Sequence, residues 1–370
     1  MSRLDRYLAK EILLPFGAAL LFLTQILLAT QILARADVVL GAGVSAVDLV
    51  ALVADLTPHL VGYVMPIAFL VGAILGAGRL ADDREIVAIG AAGISPLRLV
   101  RVPLAIGLAV AALGLWLSTD LDPAGLRRAR FLFNDVIKRN LTAGIRSGTF
   151  YDDLPQFTVY VADAAPGGWR DVLIADRSDP GAPVLALARH GRLVPVGADE
   201  EMRLELEDGE LHRRAEADGG YLRATFRRAV VTLGLGTALS DRNDFANSRL
   251  ELSQAELAAR AVVGPGRSAA EALPWDVAYH RRLASPLSVI GFALMAVPIA
   301  ALRRGGRAAG VGAAVGAVLL QYGLLRAGEV AAKNGLAPPA LALELPTVAL
   351  VLLGLALCWR LHRRGPGAVR

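Results

Sequence analysis

Two clusters of charge could do chemistry in this chain of 370 residues. The first opens Arg79–Arg101, which reads RLADDREIVAIGAAGISPLRLVR. Arg79, Asp82, Asp83 and Glu85 crowd its start, and Ile86, Val87 and Ile89 give the next turns an apolar side. A short amphipathic helix of this kind can dock on a soluble partner. The same spacing permits a purely local role, because Asp82 and Glu85 stand three apart, as in a capping box. The second cluster is Arg127, Arg128 and Arg130, with Arg281 and Arg282 at a matching place later in the chain. Guanidinium forks suit phosphate and carboxylate. They fit an anionic lipid or ligand, and equally the head groups of a membrane leaflet.

Other chemistry is excluded. None of the three lysines follows a glycine, so no Walker-type phosphate loop is present and ATP hydrolysis by that route is ruled out. There is no His-Glu-x-x-His, only one cysteine (Cys358) and five scattered histidines, which gives a zinc site no framework. Gly-x-Ser-x-Gly is missing too. No metal or cofactor is expected. Basic and aromatic residues are not interleaved in the way nucleic-acid binding requires.

The elements that must position these residues are membrane spans. Hydrophobic residues make up 55% of the chain and mean hydropathy is +0.49, too apolar for a soluble protein of ordinary composition. Apolar stretches run Ile12–Ala34, Leu56–Gly78, Val102–Thr119, Leu283–Leu302, Ala308–Leu325 and Leu336–Trp359, the last holding Glu344. A helix needs roughly 20 residues to cross the hydrocarbon. Six spans are therefore expected, three on each side of a long polar insert. Basic residues near the span ends set the direction. Fourteen fall in one set of short segments and three in the opposite set. Both termini should be cytoplasmic and residues 120–282 outside. His59, Arg326, Glu329 and Glu344 lie at or near span ends. Arg326 and Glu329 are placed to pair, and Glu344 could cap a late-starting helix. Gly72 with Gly76, and Gly312 with Gly316, form Gly-x-x-x-Gly pairs that permit close helix contact, within the chain or between subunits.

Inside the insert the period changes to two. Phe157–Val161, Asp171–Ile174, Val184–Ala188, Met202–Leu206 and Tyr221–Phe226 read as strands. Pro166-Gly167-Gly168, Asp179-Pro180-Gly181, Asp208-Gly209 and Asp218-Gly219-Gly220 read as the turns between them. Strands this short and regular suggest an antiparallel sandwich, jellyroll or open barrel. Residues 250–260 look helical, with Ser253 and Glu256 at capping-box spacing. The expected fold class is membrane α+β, with halves 1–119 and 283–370 around an inserted β domain at 120–282.

The opening LDRYLAKEILLPF, the loop RLADDREIVAIGAAGISPLRL, the strand start FTVYVADA, the re-entry YHRRLASPLSVIGFALMAVPIAAL and the closing ALELPTVAL together resemble the lipopolysaccharide-export permeases of Gram-negative envelopes, the LptF/LptG type. The resemblance covers nearly the whole chain. It implies six helices with a periplasmic β-jellyroll. It also implies a heterodimer of two related permeases, seated in the inner membrane on a cytoplasmic ATPase dimer that binds the ATP. Lipopolysaccharide would pass from the permeases to a periplasmic jellyroll bridge protein. A coupling helix would match about Leu80–Ile94, which favours docking for Arg79, Asp82, Asp83, Glu85, Ile86 and Ile89. Arg35 and the Arg127, Arg128 and Arg130 cluster would match residues that contact lipid phosphates. Where many relatives carry Trp and Asn around the last proline, this chain has Glu344 and Thr347. The alternative is a mechanotransmitting scaffold, in which a cytoplasmic ATPase works the outer domain on another periplasmic target. A secondary transporter would need inverted repeats and midplane charges, and neither is evident.

Overall fold

The computed structural model describes residues 2–34, 45–143, 147–154, 157–165, 168–177, 183–196, 201–214, 221–233, 248–264, 268–302 and 306–364. Arg35, Arg303, Arg304 and the turns at 179–181 and 218–220 lie outside them. The chain divides into two units. One gathers residues 1–35, 53–126 and 248–370, and the other residues 36–52 and 127–247.

The first unit is helical. α1 spans Arg3–Ala34, α2 Ala46–Asp82, α3 Glu85–Ala91 and α4 Pro96–Trp116. A π-turn at Leu117–Leu121 joins α4 to α5, Asp122–Ala143. After the strands come α6 at Ser248–Glu251, α7 at Gln254–Ala261, α8 at Ala269–Leu302, α9 at Gly306–Lys333 and α10 at Pro339–Arg364. Among the described residues, five helical stretches are long and apolar enough to cross a membrane: Arg3–Ala34, Ala46–Asp82, Pro96–Leu132, Ala269–Leu302 and Pro339–Arg363. The fifth apolar run of the sequence falls on α9, which is not among the five.

Helix α8 is the centre, buried along most of its apolar window, whereas α1 shows Leu13, Leu14, Leu21, Phe22 and Leu33 outward. Phe69 and Phe292 are the largest fully buried side chains, and Phe16 meets Phe69 edge to face at 5.9 Å. Small residues let the helices close on one another. Gly107 of α4 faces the Ala293 side chain of α8, and Gly354 of α10 faces Leu294. Helix continues past Thr119, where the apolar run ends, because Leu126 and Ala129 repeat at helical spacing beneath the arginines and are buried. Ser253 caps α7 in a full capping box, its Oγ accepting from the Glu256 N–H while Glu256 accepts from the Ser253 N–H.

The second unit holds six antiparallel strands in sequential order: β1 Thr149–Leu154, β2 Phe157–Ala165, β3 Gly168–Asp176, β4 Val184–Val196, β5 Glu201–Arg214 and β6 Tyr221–Leu233. The sequence predicts five shorter strands and places Asp208-Gly209 in a turn. Both points are corrected. β1 is a further strand, and Asp208-Gly209 lies inside β5, with pairing resumed on either side at Glu207↔Arg228 and Gly209↔Phe226.

The reason is a crease that crosses β2 to β6. By register, Ala162, Asp171, Arg189, Asp208 and Arg227 form one row, and none of them is a paired position. Asp171 and Asp208 take positive φ, 48° and 52°, which short polar side chains tolerate. One extra residue reverses which faces a strand presents. Trp169 is thus odd-numbered while Val172 and Ile174 are even, yet all three join one apolar cluster. Phe226 against Ala229 and Val231 repeats the switch on β6. Because each strand spends its extra residue on the same row, register between strands is preserved while the sheet bends. Val161, Leu204 and Leu206 are fully buried on its apolar side. The five exposed residues of the row lie on the other.

Candidate functional site

Helix α3 is the first candidate site. A two-residue turn, Asp83-Arg84, separates it from α2, and Arg84 at φ 57° is its N-cap, with no side-chain cap hydrogen bond. The capping box read from Asp82 and Glu85 is therefore not formed, because α2 stays helical through Asp82. Glu85 instead accepts a hydrogen bond from the Tyr7 hydroxyl of α1 at 3.0 Å. One turn away, Arg79 donates to Glu11 of α1 at 3.0 Å and lies 3.8 Å from Asp83. Ile86 is buried and Ile89 packs against the bundle core. These two side chains thus fasten α3 to its own helices rather than present an apolar face outward. Exposed here are Asp83 and Arg84 of the turn and Val87, Ala88 and Ala91 of α3, with Glu85 half-buried at the margin. Tyr7 and Glu11 went unnoticed in the sequence reading, although two polar groups four apart at the mouth of an apolar helix are a usable signal.

A second polar group sits within α2, some 20 residues and so about 30 Å along the helix from Arg79. His59 of α2 meets Asp122 of α5 at 2.9 Å. On α8, His280 lies 2.7 Å from Glu344 of α10 and 3.4 Å from Asp276. Glu344 is inside α10, which starts at Pro339, so it pairs with a neighbouring helix and caps nothing. Glu329 of α9 is almost enclosed and is ringed by Lys333 at 2.7 Å, Arg326 at 2.8 Å and Arg281 at 3.7 Å. The expected Arg326–Glu329 contact is present as part of that larger group. Deeper in the bundle, Gln321 donates to Thr347, which donates to the Ala284 carbonyl, joining α9, α10 and α8. His59, His280 and Glu329 each meet an opposite charge on another helix, which is how charge is accommodated at membrane depth.

Helices before and after an antiparallel sheet, with a helical turn tucked between the second and third long helices, set the frame for comparison. The chain matches the lipopolysaccharide export system permease LptF/LptG family over residues 6–360. It belongs to that family. Among curated proteins there is no match. Members of the LptF/LptG family are permeases of lipopolysaccharide export, and this one is a multi-pass inner-membrane protein with a β-rich insert.

Of the remaining expected site residues of this LptF/LptG permease, Arg35 lies outside the described residues. Arg127 and Arg128 are exposed on α5, and Arg130 is half-buried with its guanidinium 5.4 Å from the Phe131 ring. The two glycine pairs differ. A Cβ on Gly72 would fall 2.6 Å from the Phe16 backbone, and one on Gly76 would fall 2.5 Å from the Glu11 carbonyl. Gly312 and Gly316 meet nothing within 4 Å among the described residues.

Proposed function

We propose that this permease is one subunit of an ABC-type exporter that lifts lipopolysaccharide from the inner membrane and passes it to a periplasmic jellyroll bridge protein. The family match over nearly the whole chain carries the reading. Halves 1–119 and 283–370 supply three spans each, with α9 as the fifth of six. Both termini face the cytoplasm. The insert at 120–282 is periplasmic, and its creased sheet with one apolar face is half of a jellyroll suited to acyl chains.

A second related permease completes the cavity, and a cytoplasmic ATPase dimer binds and hydrolyses the ATP this chain has no loop to hold. The ATPase contacts α3. Within that site, Asp83 and Glu85 offer charge to the partner, Arg79 ties the end of α2 to α1, and Asp82, Ile86 and Ile89 hold the pose of α3. The link from Glu85 to Tyr7 carries a push on α3 directly into α1, and that from Arg79 to Glu11 carries it there through the end of α2. Arg35, Arg127, Arg128 and Arg130 are assigned to lipid phosphate.

The test is affinity purification of the full chain in mild detergent, followed by depletion. A soluble ATPase and a second permease should co-purify, and Glu85→Lys should reduce ATPase recovery by roughly tenfold, the cost of one charge-assisted contact. Depletion that leaves lipopolysaccharide delivery to the cell surface intact overturns the reading.

A further inference from the structure

Arg282, one of the basic pair the sequence sets before the fourth span, spends its guanidinium on backbone. It lies on α8, and its guanidinium reaches the end of α6, the four-residue helix with which the chain re-enters the helical unit after the strands. Nη1 donates to the Leu252 carbonyl at 2.7 Å, and Nη2 donates to the carbonyls of Leu250 at 2.9 Å and Arg249 at 3.4 Å. Carbonyls at a helix C-terminus have no partner within the helix. Here one planar fork supplies three donors at once, which a lysine ammonium on a single point cannot reproduce.

The outgoing connection meets the same residue. Ser118, in the π-turn that leads from α4 to α5, donates to the Leu115 carbonyl at 3.0 Å and lies 3.5 Å from the Arg282 carbonyl. A π-turn inside a helix is a local distortion often found where function needs it. The re-entering segment is held at further points by α8. Gln254 donates to the Tyr279 carbonyl at 3.4 Å, and the guanidinium groups of Arg249 and Arg260 lie 5.7 and 4.9 Å from the Trp275 ring. The chain that leaves for the strands and the chain that returns from them therefore both touch α8 at Arg282.

We propose that Arg282 is a positioning residue for export: its side chain locks the returning connection of the strand unit to α8, at the residue whose own carbonyl meets the outgoing one, so that a displacement of this central helix moves the two together. The proposal rests on the export reading above. It assigns Arg282 neither to lipid nor to ATP; its action runs through the carbonyls of α6. A glutamine there loses the fork, and a lysine keeps the charge while losing most of the geometry.

The experiment uses the full chain, purified with its ATPase and second-permease partners and reconstituted into vesicles containing lipopolysaccharide, with the bridge protein as acceptor. Lipid transferred per ATP hydrolysed is measured for wild type, Arg282→Gln and Arg282→Lys, together with trypsin cleavage after Arg249 and Arg260. In Arg282→Gln, transfer per ATP should fall roughly tenfold, the cost of freeing a few buried carbonyls. ATP hydrolysis should stay within about twofold of wild type, since the ATPase does not depend on α6, and cleavage should quicken by a factor like that of the transfer loss. Arg282→Lys should fall between the two. Should glutamine abolish assembly, the lysine variant alone decides, because its loss of transfer must come with intact hydrolysis. Unchanged transfer per ATP, or transfer and hydrolysis falling in step in the assembled complex, overturns the positioning role alone. A wild-type complex that moves no lipid overturns the export reading and this role with it.

Discussion

The glycine pair of α2, Gly72 and Gly76, and that of α9, Gly312 and Gly316, share a spacing, though α9 is the less apolar helix. The first admits the backbone of α1 so closely that a single added carbon has no room beside Phe16 or Glu11. The second meets nothing within reach among the described residues. Yet α9 is not loose along its whole length. At Gly328 an added carbon would sit 2.0 Å from the Ala342 carbonyl of α10. The spacing of small residues thus states where a helix can be approached, and the rest of the chain decides whether it is. On α2 the contact is used inside the subunit, where it brings Glu11 of α1 to Arg79 at the end of α2 and Tyr7 to Glu85 of α3.

The largest expected effect follows from that contrast. Gly76→Leu should destabilise the folded chain by about 3 kcal/mol or more, since the Glu11 backbone cannot step aside without moving α1. Gly316→Leu should change the stability of the single subunit by less than about 0.5 kcal/mol. Unfolding in detergent and denaturant, followed for both variants, checks the pair. Equal losses would break the comparison.

The sheet offers a sharper version of the same test. Gly209 of β5 lies where an added carbon would meet the Leu187 carbonyl at 2.3 Å and the Phe226 ring at 2.5 Å. The ring of the cross-strand partner lies over the bare backbone, filling the room the glycine leaves. Gly209→Ala should cost about 1–3 kcal/mol, and Gly209→Ala with Phe226→Leu should recover part of it, measured by the same unfolding. A double variant no more stable than the single would show that the backbone contact at Leu187, not the ring, sets the cost.

Gly209 also shows what the sequence could and could not tell. Asp-Gly is among the strongest turn signals, and it predicts a break between two strands. The left-handed residue is there, but it is spent on a crease inside one long strand. Only the partner strands reveal this, because Asp171, Arg189 and Arg227 must carry the same irregularity for the register to survive. Apolar runs and the period-two segments, by contrast, were legible locally, since each is a property of one element. The charged start of α3 was legible as a site, but the burial of Ile86 and Ile89 was not, because their apolar side fits a partner's surface and the chain's own core equally well. Arg282 was legible as a cation beside Arg281, but its hold on the backbone was not, since its acceptors are carbonyls contributed by a segment 30 residues earlier.

The smallest expected effect lies on the exposed side of the sheet, where charged pairs reach across the strands. Glu205 accepts from Arg192 at 2.7 Å and from Arg228 at 3.0 Å, across three strands. Glu210 is bound by both Nε and Nη2 of Arg223 and lies 3.2 Å from His212. The arginine hydrogen bonds, first Arg192 then Arg228 for Glu205, and first Arg223 then His212 for Glu210, hold both carboxyls below their ordinary value. A carboxyl lowered in the folded state binds its proton more readily when unfolded. Its contribution is therefore fully present above the unfolded value of about 4.3 and fades as pH falls through the folded one. The Tm of the full chain should drop between about pH 5 and pH 3, and the slope should be shallower when Glu205→Gln and Glu210→Gln are combined. Because both pairs face solvent, the difference should be slight beside that of Gly76→Leu and should shrink further in high salt. A double variant as acid-sensitive as wild type would place the acid response elsewhere, among the carboxylates of the helical unit.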